Sequence, residues 1–336
     1  MSTALLFDRL EDNKVRCRLC RHRCLIKAGR TGLCHVRKNI DGDLESLVYR
    51  KIITENVDPI EKKPLFHVFP GSLSYSVATV GCNFKCTFCQ NADISQMPAD
   101  AGQIMGQTRT PEQIVAAARQ TGCQTIACTY TEPTIYFETA LEIARAAAAQ
   151  NLKTVFVSNG YMSDEALDLI HPDLAAANVD LKSFRDSFYK EQCGARLEGV
   201  LAGLRKLKAQ DVWLEVTTLI IPSLNDDEAE LGEMVDFLLE LGPETPWHIS
   251  RFFPRYHRTD LPPTSADFLK RVRRMGLDKG LRYVYTGNIH GDEDGDTFCH
   301  HCGRRLIRRQ GYLVSQNVIT GGQCPDCQTP VSGLWA

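Results

Sequence analysis

The sequence predicts an α/β protein: a partial (β/α)6 barrel of the TIM type, with a cysteine-rich module before it and a zinc-ribbon-like module after it. Three observations carry that expectation. From Ser74 to about Gly287, short β-rich runs alternate with segments of helical period, the pattern of repeated βα units on a parallel sheet. Polar and thiol residues fall at the ends of the apolar runs, where such barrels hold their chemistry. Eleven of the fourteen cysteines gather in three groups, one in the barrel and one on either side of it. The expected divisions are a metal module at 1–45, a linker at 46–73, the barrel at 74–290 and the closing module at 291–336.

A chain of 336 residues can bury one large core with appendages, and 43% hydrophobic with 24% charged residues is a globular composition. The net charge of -2 gives no global pull toward nucleic acid or an anionic membrane, so any such partner needs a local patch. The first residues, M-S-T-A-L-L-F-D-R-L-E-D, lack the basic and apolar blocks of a secretion signal, and no apolar run approaches the length of a membrane-spanning helix. A cytoplasmic location is expected, where many cysteines mean metal or redox chemistry before disulfides.

In chain order, Cys17, Cys20, Cys24 and Cys34 come first, within eighteen residues. They suit a tetrahedral zinc or a second iron-sulfur cluster, with His22 and His35 able to replace a thiolate, and Gly29 and Gly32 turning the chain back to Cys34. From Tyr49 to Ser72 three prolines break any helix, and His67 reads as a packed histidine rather than a ligand.

The barrel then begins with a strand at Tyr75 to Val80. Thr110, Pro111 and Gln113 supply an N-cap, a first-turn proline and a capping box for the next helix. Thr125 to Tyr130 is a strand. The helix after Pro133 puts Phe137, Ala140, Leu141, Ala144 and Ala148 on one face. Lys153 to Val157 is a strand followed by a helix capped by Ser163; Ala177 to Leu181 is a strand followed by a helix near Leu197 to Lys208. Trp213 to Ile221 precedes a helix opened by Asn225 and Glu228, with Leu231, Met234, Val235, Leu238 and Leu239 at helical spacing. Trp247 to Phe252 is the sixth strand, with Thr264 capping the closing helix, and Arg282 to Tyr285 suits an edge strand.

After the acidic run G-D-E-D-G-D, Cys299-x2-Cys302 and Cys324-x2-Cys327 lie twenty-one residues apart and read as a zinc ribbon. Arg304, Arg305, Arg308 and Arg309 beside them suit a solvated basic face, an RNA contact or a protein partner.

The chemistry centres on Val80 to Gln96, where Cys82-x3-Cys86-x2-Cys89 follows the first barrel strand. Three thiolates can cap three irons of a [4Fe–4S] cubane and leave the fourth open. A zinc knuckle would want a fourth ligand in a second cysteine pair, and a disulfide reading leaves an odd thiol. Counted along the barrel, Thr131 and Glu132 end strand two, Ser158 and Asn159 strand three, and Asp180 and Lys182 strand four. Thr217 and Thr218 lie mid-strand five, and His248 was placed at strand six.

With Phe88 before the last thiol, this triad resembles the signature of radical S-adenosylmethionine enzymes. The order of Y-T-E-P-T (Tyr130–Thr134), S-N-G-Y (Ser158–Tyr161), D-L-K-S (Asp180–Ser183), T-T-L-I-I-P (Thr217–Pro222) and W-H-I-S-R-F (Trp247–Phe252) resembles the branch related to the pyruvate formate-lyase activating enzyme. Within it, the chain resembles the AmmeMemoRadiSam system enzymes. Arg21 stands where that family commonly has proline, and Thr131 replaces a glycine of its G-G-E-P motif.

The resemblance implies a radical SAM core that binds S-adenosyl-L-methionine at the open iron and cleaves it reductively to methionine and a 5'-deoxyadenosyl radical. It implies that Thr131 and Glu132 meet the methionyl ammonium, and it makes Asn159, Asp180 and Lys182 candidates for ribose and carboxylate contacts. Cys193 is a candidate hydrogen-atom donor or a buried thiol. The implied partners are an electron donor of flavodoxin or ferredoxin type and Memo-like pathway proteins. The first reading is hydrogen abstraction from a protein, as a glycyl-radical activase does. The alternatives are radical modification of RNA or a small metabolite, and a non-catalytic iron-sulfur or zinc protein.

Overall fold

The computed structural model describes residues 2–289 and 295–335. Its centre is one eight-stranded sheet whose spatial order follows the sequence. The strands are β1 (Thr54–Pro59), β2 (Leu73–Ala78), β3 (Thr125–Cys128), β4 (Lys153–Ser158), β5 (Leu174–Asp180), β6 (Trp213–Ile220), β7 (Trp247–Arg251) and β8 (Val284–Gly287). β2 to β8 run parallel, while β1 pairs antiparallel with β2. Between successive parallel strands lie helices α1 (Pro111–Gln120), α2 (Phe137–Ala148), α3 (Asp164–Ile170), α4 (Leu197–Ala209), α5 (Glu228–Leu241) and α6 (Ala266–Asp278). The result is a mixed α/β core with a partial barrel-like sheet, open between β8 and β1.

Local signals act where expected at two helix starts. Thr110 and Gln113 make a reciprocal capping box at α1, and the Ser163 hydroxyl accepts from the Ala166 amide at α3. Three others differ. Asp227, not Asn225, caps α5; the Asn225 carboxamide instead ties Ile221 to the carbonyls of Lys182 and Leu219. Thr264 does not cap α6, because its hydroxyl donates to the Ile220 carbonyl and accepts from the Phe252 amide. On α2 the buried stripe ends at Ala147, and Ala148 faces solvent.

The expected linker at 46–73 is structured: Ser46 ends a strand of the N-terminal module, and residues 54–73 belong to the barrel. They supply β1, and their turn at 60–69 fills the interior at the N-terminal ends of the strands, with Ile60, Leu65 and Val68 packed on Ala127, Val155 and Ala176. Polar groups knit this floor. Glu215 accepts from the Phe66 and His67 amides and from Trp213 Nε1, and it meets His248 Nε2 at 2.6 Å. The fully buried His67 bonds Tyr285 Oη through Nε2 and the Ser332 carbonyl through Nδ1, so it is a packed histidine.

The two flanking modules occupy opposite ends of the barrel. The C-terminal strands Thr297–Phe298, Arg305–Gln310 and Leu313–Asn317 form an antiparallel sheet against the floor. Val68 bridges Leu334, and Arg309 donates to the Phe66 carbonyl. The N-terminal module, two small three-stranded sheets, sits at the C-terminal ends of the strands. There Ser163 N donates to the Leu19 carbonyl, Arg21 N to the Tyr161 carbonyl, and His22 Nε2 to the Asn83 carbonyl at 2.8 Å. Part of the acidic run expected to join barrel and closing module, together with the division at 290, lies outside the described residues.

Candidate functional site

The loop after β2 carries Cys82, Cys86 and Cys89 to the mouth of the barrel. Gly81, at φ 105, makes the turn, and a Cβ there would come within 2.8 Å of Val36 Cγ1 in the N-terminal module. The loop is held by Lys85 N donating to the Cys193 carbonyl (2.8 Å), Thr87 N to the Gln192 carbonyl (3.0 Å), and His257 N to the Thr87 carbonyl (3.0 Å). Residues 189–193 form a π-helical turn, an insertion that recurs at functional sites.

Two thiols of the triad have a hydrogen-bond partner. Cys82 Sγ accepts from the Phe84 amide at 3.3 Å and lies 3.9 Å from Asn159 Nδ2. Cys89 Sγ is 3.1 Å from Ser95 Oγ. Cys193, near Cys86, is fully buried. Burial pushes the Cys82 and Cys89 thiols up, whereas the neighbouring Cys193 thiol, with the Lys182 charge, pulls Cys86 down. The three sulfurs do not crowd together: among the described residues, the group of three or more His, Cys, Asp or Glu ligand atoms that all lie within 4.8 Å of one another is Cys299, Cys302, Cys324 and Cys327.

The strand-end residues fall into two groups. Glu132, Ser158 and Asn159 meet beside Cys82. Glu132 Oε1 accepts from the Thr134 amide, the Thr134 hydroxyl and Ser158 Oγ, and Oε2 accepts from the Asn159 amide at 2.8 Å. Burial pushes this carboxyl up while those donors hold it back. Thr131 Oγ1 donates to the Thr79 carbonyl and so fixes the start of the cysteine loop. Across the mouth, Asp180 and Lys182 pair at 2.7 Å, and Lys182 Nζ stands 5.9 Å from the centre of the Phe88 ring.

One expected mouth residue, His248, and the mid-strand Thr218 lie away from the mouth. His248 belongs to the floor, paired with Glu215, because it is only the second residue of β7 and points inward low in the barrel. Thr218 turns outward, donating to the Leu181 carbonyl and touching Met234 of α5. Asn83 and Ser95 were missed. Asn83 Oδ1 accepts from Asn159 at 2.7 Å, and its Nδ2 is buried without a partner. No spacing rule marks either residue.

On the floor side, Cys299 Sγ is 3.6 Å from Cys327 Sγ, and Cys302 Sγ is 3.7 Å from Cys324 Sγ. Sulfurs each about 2.3 Å from one zinc stand about 3.8 Å apart, so this is a metal-binding group of four. The expected basic face is largely absent. Arg309 is buried against Glu61, Arg305 meets Asp296, and Arg304 meets Asp326. No helix among the described residues is long and apolar enough to cross a membrane.

Comparison with known proteins agrees with this geometry. The family model described as the radical SAM superfamily matches residues 76–238. An uncharacterized protein of Methanocaldococcus jannaschii is 43% identical over 320 residues, which is 95% of this chain and 94% of that one. A probable GTP 3',8-cyclase of Methanococcus vannielii is 25% identical over 253 residues, covering 70% of this chain and 81% of its own. An isethionate sulfite-lyase activating enzyme of Nitratidesulfovibrio vulgaris is 27% identical over 201 residues, covering 57% of this chain and 62% of its own. A mouth lined with three separated thiols, on a barrel that this family model spans from β2 into α5, is the local counterpart of those matches. The chain belongs to the radical SAM superfamily and is an enzyme that cleaves S-adenosylmethionine.

Proposed function

We propose that Cys82, Cys86 and Cys89 hold a [4Fe–4S] cluster with one iron left for S-adenosylmethionine, and that the radical so generated takes hydrogen from a small metabolite. The observation that carries the first part is the triad itself: three buried or half-buried thiols, spread apart at the barrel mouth, with Phe84 N donating to Cys82 and Ser95 Oγ beside Cys89. Donors of that kind set the potential of iron-sulfur centres. The unpartnered Asn83 Nδ2 beside Cys82 fits the same group. A cluster bound there supplies the electron that breaks a C–S bond of the sulfonium, giving methionine and the 5'-deoxyadenosyl radical.

The chain's own residues orient the sulfonium. Lys182, anchored by Asp180, offers a fixed cation to the methionyl carboxylate. Glu132 Oε2 accepts one protein hydrogen bond and keeps a lone pair for the ammonium. Asn159, held through its amide and Asn83, faces the same space. Cys193 acts on the Cys86 sulfur rather than on substrate, since it is fully buried behind it. The C-terminal four cysteines hold zinc, and a flavodoxin- or ferredoxin-type protein supplies electrons.

A small substrate is supported by how the mouth is walled. The N-terminal module covers one side. On the other, the segment 253–258 is tied down by Gln90 to the Phe253 carbonyl, Arg255 to Asp93, Tyr256 to Asp100 and Arg258 to Gln192. A folded protein would have to displace one of these walls. The relative named as a probable cyclase of GTP points to a small molecule, while the activating enzyme supports the second reading, a protein substrate.

The test is anaerobic reconstitution followed by dithionite and S-adenosylmethionine: 5'-deoxyadenosine should form, and its absence removes the proposal. Added metabolite fractions should raise that yield. A lasting protein-based radical on a partner would instead establish the second reading.

A further inference from the structure

The cysteines of the N-terminal module form a second site, and the structure separates the two metals that their spacing leaves open. Cys17, Cys20, Cys24 and Cys34 line one largely apolar hollow of about 340 Å³, counting the part open to solvent, and Asn83 and Ile135 of the barrel complete its wall. All four line that one hollow, so the cysteines share a common space. Yet they do not reach the contact spacing of the C-terminal group: among the described residues no second set of three ligand atoms lies within 4.8 Å of one another. A single zinc draws its sulfurs to about 3.8 Å, whereas in a cubane each thiolate caps a different iron and the sulfurs stand further apart.

The triad, with its three separated thiols, has the same character. Here a fourth is present. Gly32 keeps the wall thin, since a Cβ there would lie 3.3 Å from Ile26 Cδ1 and 3.6 Å from Cys24 Sγ.

The hollow abuts the triad loop directly. Asn83, the residue after Cys82, lines it and accepts from His22 Nε2 at 2.8 Å. A Cβ on Gly81 would stand 3.5 Å from the Cys34 carbonyl oxygen. A cluster with four cysteine ligands has no open iron, so its chemistry is electron transfer rather than substrate binding.

We propose that Cys17, Cys20, Cys24 and Cys34 hold a second, fully thiolate-ligated [4Fe–4S] cluster, which accepts one electron from a low-potential donor protein and passes it to the cluster at Cys82, Cys86 and Cys89. One electron enters and one leaves; no bond is made or broken at the second cluster. The relay rests on the radical reading of the triad, whereas the presence of the cluster does not.

The experiment uses the whole chain, reconstituted without oxygen, as wild type, as Cys20→Ala/Cys24→Ala, and as Cys82→Ala/Cys86→Ala/Cys89→Ala. Wild type should carry about eight irons and one zinc, and each variant about four irons. The triple variant's reduced EPR signal should ignore S-adenosylmethionine, while the double variant's should respond to it. With dithionite the double variant should form 5'-deoxyadenosine at about the wild-type rate, and with reduced flavodoxin at least about tenfold more slowly. Wild type with about four irons and two zincs overturns the second cluster, whatever the variants do. Equal rates with both reductants, or equal loss with both, overturn the relay. A wild-type signal that ignores S-adenosylmethionine despite eight irons would defeat the triad reading alone.

Discussion

At the scale of single residues, the triad thiols differ in their neighbours more than in their spacing. Cys193 is a fully buried thiol whose carbonyl accepts from Lys85 in the triad loop, and its role toward Cys86 separates two outcomes. As a donor to sulfur it stabilises the reduced cluster, so Cys193→Ala should keep the iron content and the response to S-adenosylmethionine while lowering the reduction potential in an EPR-monitored titration. A wild-type cluster indifferent to the sulfonium, made responsive by the same substitution, would show Cys193 to be a ligand. Lys182 gives a second prediction. Removing a charged hydrogen bond costs about 1.5–3 kcal/mol, so Lys182→Met should weaken S-adenosylmethionine binding about tenfold or more by calorimetry on the reconstituted protein.

At the scale of elements, the barrel floor and one helix contact decide stability. Burial holds His67 down at about 4, against opposing help from Glu215. Between about pH 6.5 and 4 the unfolded chain therefore carries a proton on this ring that the folded chain lacks. Stability from this group is complete above that window and drains as pH falls through it, by about 3 kcal/mol. Glu215 acts in the same direction at lower pH: burial opposes its ionisation, but His248 and His67 hold its carboxyl below the usual range. Denaturant midpoints between pH 7 and 4 should show the decline, and His67→Gln should flatten it. Helix α4 meets the β4 loop through Gly203, where a Cβ would lie 2.1 Å from the Gly160 carbonyl oxygen. Gly203→Ala should cost about 1–3 kcal/mol in denaturant titration, and it should disturb Asn159, the residue beside that carbonyl.

The same elements show what the sequence could disclose. The alternation of strands and helices, the Thr110 and Ser163 caps, and the clustering of cysteines were legible because each is local. Asn225 and Thr264 were misplaced because their bonds go to β6, β7 and the loop after β5, which no short window contains. His248 was assigned to the mouth because period-2 patterning gives the side of a strand, not the depth in a barrel. The floor segment looked like a linker because its prolines speak only of helix, and its partners Ala127, Val155 and Ala176 are distant in sequence.

At the scale of the molecule, the two outer cysteine groups serve opposite ends, one beside the candidate radical site and one beneath the barrel. Removing the metal from the lower group should therefore loosen the floor without touching the mouth. Cys324→Ser should lower the melting temperature on the order of 10 °C and leave the cluster's response to S-adenosylmethionine unchanged by EPR. Loss of that response would mean the two ends are mechanically coupled.

The bridge between Val68 and Leu334 joins two segments far apart in sequence, so a contact of high sequence separation helps close the barrel floor. Truncations that remove Leu334 should therefore expose apolar floor residues and appear as insoluble product rather than as a shorter, active enzyme.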